Sequence, residues 1–367
     1  MAVGDLPGAL PALFRDRSRR HISPLTRYRM VPNCSIYRVP YSTHSAQDAR
    51  RIAMTDRVIL VTGASGGRQG RTGRHVSEML LARGIAVRAL VHRIDERSDR
   101  LRALGAEVVE GDFLDIRSVQ RAVRGVSSIY FAYPVQDGLL DATATMAVAA
   151  REAGISRFID LEMLVSSPDA PTPRMRQNYL SEQVFEWAGI GAAHVRATVF
   201  FENLRALSRL SLATQGTIRL PWGDIDTVIP LVAGEDVARV AAGLLTSASV
   251  PAGSSYPVIG AVISLREIIA TFGRVLGREV RYEEISDEEW RSGALARGVS
   301  QHAVEHLSNL WRTFRTFGRT SGQAPQPARF EVTDTIEKLG GAKPKTFEAF
   351  IREEQSALKA EADQTAA

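Results

Sequence analysis

Between an apolar run, Val58–Val61, and an amphipathic stretch over 71–83 lies Thr62-Gly63-Ala64-Ser65-Gly66-Gly67-Arg68-Gln69-Gly70-Arg71-Thr72-Gly73. Glycines at a strand-to-helix junction permit a tight turn and let backbone N–H groups approach an anion. The unpaired N–H groups and dipole of the helix start attract the same charge. Phosphate binding is therefore the chemistry this segment can do, and a diphosphate in a first βα unit points to a dinucleotide. Gly63, Gly66 and Gly73 match a three-glycine fingerprint once Gly67 to Gly70 are treated as inserted. The candidate cradle is Gly63, Ser65, Gly66, Arg71, Thr72 and Gly73. Arg68 and Arg71 could reach phosphate oxygens or could be solvent-facing charge.

The end of the next apolar run discriminates between cofactors. An acidic residue there accepts the ribose hydroxyls of NAD, whereas a basic one accommodates the 2′-phosphate of NADP. Leu90-Val91-His92-Arg93 carries no carboxylate until Asp95, so His92 and Arg93 favour NADP, with NAD the weaker candidate. Asp112 and Phe113 close the following run where an adenine edge would pass. Asp112 could instead cap the helix over 115–124, although Asp115 suits that task better.

Positioning these residues requires alternating strands and helices. Strands are expected at 58–61, 86–91, 107–110, 128–132 and 157–163, separated by helices at 71–83, 97–104, 115–124 and 139–153. The spacing demands right-handed crossovers and a parallel sheet, and the uniformly apolar strands fit burial on both faces. The fold class is thus α/β: a Rossmann-type parallel sheet with helices on both faces. Beyond residue 200 the alternation loosens, with helices expected at 202–214, 235–246, 265–276, 287–296 and 301–315, and short strands near 228–232, 256–259 and 279–284. This pattern predicts a smaller α+β C-terminal lobe. The expected organisation is a poorly ordered leader (1–53), a dinucleotide-binding domain (54–200), a substrate lobe with the chain returning to that domain (201–352), and a polar tail (353–367).

Composition narrows the class. Residues 1–53 carry nine Arg against three Asp, a net +6 in a chain of +5, so everything beyond them is −1. That balance gives the folded part no argument for nucleic acid. The leader resembles an Arg-rich transit peptide, but the favoured reading is a mis-called start with a functionless translated leader ahead of Met54-Thr55-Asp56-Arg57, which immediately precedes an apolar strand as a native N-terminus would; a genuine appendage is the third reading. Cys34 is the only cysteine, which excludes an internal disulfide. No apolar run approaches a membrane span. A cytoplasmic location and no membrane partner are the expectation.

These residues together resemble the NmrA-like branch of the atypical short-chain dehydrogenase/reductases over roughly 57–352. The resemblance rests on the Thr62–Gly66 start, Val87-Arg88-Ala89-Leu90-Val91, Gly111-Asp112-Phe113, Tyr133-Pro134 and Ala153–Phe158. Further pieces are Arg196–Leu204, Ile229-Pro230-Leu231-Val232 with Glu235–Ala238, and Val332-Thr333-Asp334 through Phe347. It implies an NADP(H)- or NAD(H)-binding domain in which Ala132, Tyr133 and Pro134 flank the cofactor. Members are either reductases of quinones or other small electrophiles, or dinucleotide-binding redox sensors that regulate a protein partner.

Short-chain dehydrogenases typically use Tyr-x-x-x-Lys for proton transfer. The first lysine in this chain is Lys338, so that pair cannot be built. Asn178 stands where related reductases often carry Lys, and Glu162 stands where Ser is common. Reduction of an electrophile needs chiefly positioning, since reduced oxygens can collect protons from water or a nearby hydroxyl. Tyr133 and Tyr179 are then candidates to line the acceptor site, and Glu162 to relay a proton; packing or an ion pair would serve these three equally well. His302-Ala303-Val304-Glu305-His306 matches an inverted zinc-protease pattern, but no third ligand is evident, and the histidines read as packing residues with no metal expected.

Overall fold

The computed structural model describes residues 57–66, 70–317 and 330–366. The leader and Arg68 lie outside the described residues. The first half alternates strand and helix. The order is β1 (Val58–Thr62), α1 (Thr72–Ala82), β2 (Ala86–Val91), α2 (Glu96–Ala103), β3 (Glu107–Glu110), α3 (Ile116–Val123), β4 (Ser128–Phe131), α4 (Leu139–Glu152), β5 (Phe158–Met163), α5 (Pro173–Ala188) and β6 (Ala192–Ala197). Side chains set the helix starts: Asp95, Asp115 and Thr172 each accept a first-turn N–H. Asp115, rather than Asp112, therefore caps α3.

The second half runs β7 (Val199–Phe200), α6 (Phe201–Gln215), β8 (Thr217–Leu220), β9 (Val228–Val232), α7 (Gly234–Thr246), β10 (Ser254–Val258), β11 (Ala261–Ser264) and α8 (Leu265–Leu276). It continues through β12 (Arg281–Glu284), α9 (Asp287–Ala296), α10 (Gln301–Phe317), α11 (Thr335–Gly340) and α12 (Phe347–Ala366).

Seven strands form one parallel sheet in the order β10-β6-β5-β4-β1-β2-β3. Growth of the sheet reverses between β1 and β4, so the loops leaving those two strands diverge and open a crevice at their carboxyl ends. Each face of the sheet has its own core. One contains Val119, Leu139, Met146 and Phe185 from α3, α4 and α5. The other joins Val76 and Leu80 of α1 to Val237 and Val240 of α7, Val258 of β10 and Ile336 of α11. The chain thus re-enters the Rossmann core after leaving it. A third core around Trp222, Trp290, Trp311 and Phe314 holds the lobe together.

Most expected elements are present, with ends displaced by a residue or two. The region from 353 differs: α12 continues to Ala366 rather than ending in a tail. Leu358 is buried and Glu354 pairs with Arg205 of α6 at 2.8 Å. The apolar positions Phe347, Phe350, Ile351 and Leu358 face the lobe core, while the abundant polar residues cover the outer side. Among the described residues no helix is long and apolar enough to cross a membrane.

Candidate functional site

The glycine loop leaves β1 through Gly63 and Gly66, both left-handed at φ 63° and 71°, and is closed by Gly66 N–H donating to Gly63 O at 3.1 Å. Gly73 serves another purpose: a Cβ there would lie 2.2 Å from Thr62 O and 2.7 Å from Gly63 O. The start of α1 therefore packs on the end of β1, as the third glycine of a dinucleotide fingerprint must. No side chain caps α1, and Ser65, Arg71, Thr72 and Gly73 line the cavity in front of it. An anion in that cavity would meet first-turn N–H groups that no protein side chain occupies. Thr62 holds the crevice together, its hydroxyl donating to Ala132 O at 3.1 Å and accepting from Ala132 N at 2.7 Å.

Gly70, the last residue of the insertion, docks against the later chain. A Cβ on Gly70 would touch the Phe200 ring at 3.0 Å, and one on Gly234, at the start of α7, would strike Gly70 O at 1.7 Å. Beneath this contact both Glu202 carboxylate oxygens accept from Gly234 N–H at 3.2 Å. Burial raises the Glu202 pKa to about 7, against the opposing pull of its backbone hydrogen bonds and Arg71. A folded-state pKa above the unfolded one means stability that is full below the unfolded pKa and is lost as pH rises through the folded value. Wild type should therefore lose up to about 3 kcal/mol, relative to Glu202→Gln, between pH 5 and 8. Urea titrations of both dinucleotide-free proteins at the two pH values check this; an unchanged difference would show Glu202 to be ionised throughout.

A cavity of about 740 Å³ runs from the cradle across the ends of β2 to β6 and under α10. Its end beside β2 and β3 is lined by His92, Asp112 and Phe113. Arg93, expected beside His92, is exposed and outside the lining, because the chain turns away after β2. Arg97 takes that place. Its guanidinium lies 3.4 Å from Gly66 O, held by Asp95 at 2.5 Å, the residue that caps α2.

The opposite end collects Ala132, Tyr133, Pro134, Glu162, Arg174 and Asn178. Glu162, at the end of β5, is 3% exposed and receives a hydrogen bond from the Asn178 amide. Burial, with Asp160 and Glu182 nearby, raises its pKa well above the carboxylate range. Arg174, on the first turn of α5, donates to Tyr133 O at 2.9 Å and Gln136 O at 3.2 Å. Burial lowers its pKa to about 10. Its Nε and the Asn178 carbonyl oxygen are buried without partners.

Tyr133 forms a wall rather than presenting a free hydroxyl. The hydroxyl donates to Asp137 O at 2.8 Å, and the ring sits between Phe113 and the Arg174 guanidinium. Tyr179 is half-buried and outside the cavity lining. It neighbours Asn178 on α5, and a step of about 100° per residue turns it off the cavity-facing stripe. His306 bonds Thr172 Oγ1 at 2.9 Å, and burial lowers its pKa to about 3; His302 lies 3.3 Å from Asp137. Both imidazoles have protein partners.

The profile of the NmrA-like family matches residues 55–351. The chain belongs to the NmrA-like family. A (4-alkanoyl-5-oxo-2,5-dihydrofuran-3-yl)methyl phosphate reductase of Streptomyces griseus is 31% identical over 309 residues, 83% of this chain and 100% of that protein. An NADPH-dependent quinone oxidoreductase of Escherichia coli, solved with NADPH, superposes with a TM-score of 0.66 at 21% identity, over 82% of this chain and 99% of its own. The negative transcriptional regulator NmrA, solved with NADP, gives a TM-score of 0.66 at 19% identity, over 85% of this chain and 98% of its own. This NmrA-like chain thus shares its fold with both kinds of protein, and only the residues of its cavity can separate them.

Proposed function

We propose that the protein is an NADPH-dependent reductase of quinone-like or other small electrophilic acceptors. The carrying observation is one continuous cavity that joins the glycine turn before α1 to an apolar end lined by the buried Glu162 carboxyl, whose pKa burial raises. When bound, NADPH supplies the hydride. The chain's own groups do the rest. Loop amides and α1 hold the diphosphate, and Asp112 and Phe113 border the adenine. Met175, Leu307, Leu310, Trp311 and Phe314 line the acceptor end, where they exclude water and favour a flat apolar compound. Arg174 Nε offers a donor to an acceptor oxygen as it gains charge. Glu162 supplies the proton, replacing the missing Tyr-x-x-x-Lys pair. The named activity of the Streptomyces relative supports reduction as the reaction class.

Binding calorimetry with NADPH and NADH, followed by NADPH oxidation against a quinone panel, tests this reading. Turnover on at least one quinone is expected. Tight dinucleotide binding without turnover on any acceptor would leave the regulatory role instead.

The NADP preference is assigned to Arg97 with His92. Arg97→Ala is expected to weaken NADPH about tenfold while changing NADH less than about twofold, the loss of one charge-assisted contact to a phosphate. Arg93→Ala should leave both unchanged. Equal losses for the two dinucleotides in Arg97→Ala would remove the 2′-phosphate role.

A further inference from the structure

Polar groups continue from Glu162 away from the cavity into the protein. Asp160 and Glu162 are two residues apart on β5, so both side chains lie on one face of the sheet. In β6, His194 stands opposite Asp160 and Arg196 opposite Glu162. Over this face α5 places Asn178, Glu182 and Glu186 at four-residue spacing, a single stripe. The contacts follow that register. Asn178 bonds Glu162, Arg196 Nε donates to Glu182 at 2.8 Å, and His194 Nε2 lies 3.2 Å from Glu186 Oε1. His194 Nδ1 lies 2.8 Å from Asp160 Oδ1. Asp160 Oδ2 is buried without a hydrogen-bond partner, on the same face of β5 as Glu162. Asp160 and His194 are 0% and 1% exposed, whereas Glu186 is 37% exposed.

We propose that Glu186, His194, Asp160 and Glu162 form a proton path from the surface to the acceptor end of the cavity, reloading Glu162 after each reduction. The path rests on the reductase reading. Glu162 gives its O–H proton to the acceptor atom that has gained an electron pair from the bound dinucleotide's hydride, and becomes a carboxylate. His194 then moves its Nδ1 proton to Asp160 Oδ1, and rotation of that carboxyl presents the proton to Glu162. The imidazole is then neutral and protonated only at Nε2; a ring flip turns the bare Nδ1 toward Glu186, where it takes a proton from water, and the return flip restores the starting imidazolium. One proton enters at the surface and one leaves on the product. Burial alone would strip the imidazole of charge, but Asp160, Glu182 and Glu186 outweigh it and hold its pKa at about 9. The remaining charges on this face are Arg196, paired with Glu182, and Arg174 at the cavity end.

Wild type, His194→Gln, Asp160→Asn and the surface variant Glu186→Gln are assayed with NADPH and 1,4-benzoquinone, with circular dichroism and NADPH titration to verify folding. His194→Gln and Asp160→Asn should lower kcat about tenfold or more without raising the quinone KM, and should enlarge the solvent deuterium isotope effect on kcat. Added imidazole should partly restore His194→Gln. Glu186→Gln should show a smaller loss in the same direction. Independently of turnover, infrared spectra of the dinucleotide-free protein at neutral pH should show a protonated carboxyl band that disappears in Glu162→Gln. Wild-type kcat and isotope effect in His194→Gln, or no such band, would overturn the path while leaving the reductase standing. A band with no NADPH oxidation by wild type on any quinone would overturn the reductase, and the path with it.

Discussion

Gly73→Ala is expected to weaken NADPH binding about a hundredfold or more and to lower the melting temperature. The added methyl would sit 2.2 Å from Thr62 O and 2.7 Å from both C and O of Gly63. These are backbone atoms of β1 and its turn, and β1 lies between β2 and β4 in the centre of the sheet, so they cannot yield. Helix α1 must move instead, and its first-turn N–H groups would leave the position from which they face the diphosphate. Overpacking against an unyielding neighbour costs about 1–3 kcal/mol, occasionally more, and an anion site that depends on aligned amides loses affinity with small displacements. Gly66→Ala provides the contrast. Its methyl would meet only the flexible Arg74 side chain at 3.3 Å, although φ 71° strains any L residue by about 1–2 kcal/mol. Fluorescence titration with NADPH and thermal melts of the two variants give the comparison. NADPH affinity within threefold of wild type in Gly73→Ala would remove the cradle from the site.

The sequence reading located the glycine turn between β1 and α1 because two independent patterns, a glycine cluster and a strand-to-helix change of period, coincide at residues 62–73. It placed Glu162 correctly at a strand end for the same kind of reason: strand ends at the carboxyl edge of a parallel sheet face the crevice. It took Arg93 as the 2′-phosphate contact because adjacency to β2 was the only available measure. The position of Arg97 depends on Asp95 starting α2 and folding the next turn back toward Gly66, a three-dimensional relation with no period of its own. Helix α5 hides its buried face for a different reason. Its buried face mixes Met175 and Phe185 with Arg174, Asn178, Ser181 and Glu182, while Leu180 and Trp187 are exposed, so hydrophobic periodicity is a poor guide, and Tyr179 looks the better candidate until the helix is set against β5 and β6. The lobe's contribution, with Leu310, Trp311 and Phe314 of α10 over the cavity, was legible as an amphipathic helix but not as a lid on this particular site.

Glu162→Gln is expected to reduce kcat about 10²- to 10⁴-fold, the usual contribution of a positioned general acid, with NADPH affinity changed less than about threefold. The amide is nearly isosteric and stays neutral, so the cavity keeps its shape and its uncharged floor; what disappears is the transferable proton. The pH profile separates this from a packing effect. Burial, Asp160 and Glu182 raise the Glu162 pKa far above that of an ordinary carboxyl, and the protonated form is the donor. Wild-type kcat should therefore fall as pH rises through that raised value, while the residual rate of Glu162→Gln should not follow the same curve. Stability should move in the matching direction. A raised folded-state pKa means that wild type loses stability as pH climbs toward it, so Glu162→Gln should gain relative stability in alkaline buffer. Steady-state kinetics across pH, with chemical denaturation at neutral and alkaline pH, measure both. Wild-type kcat in Glu162→Gln, with stability tracking pH as described, would mean that the acceptor collects its proton from water and that Glu162 is a buried neutral carboxyl of structural consequence only.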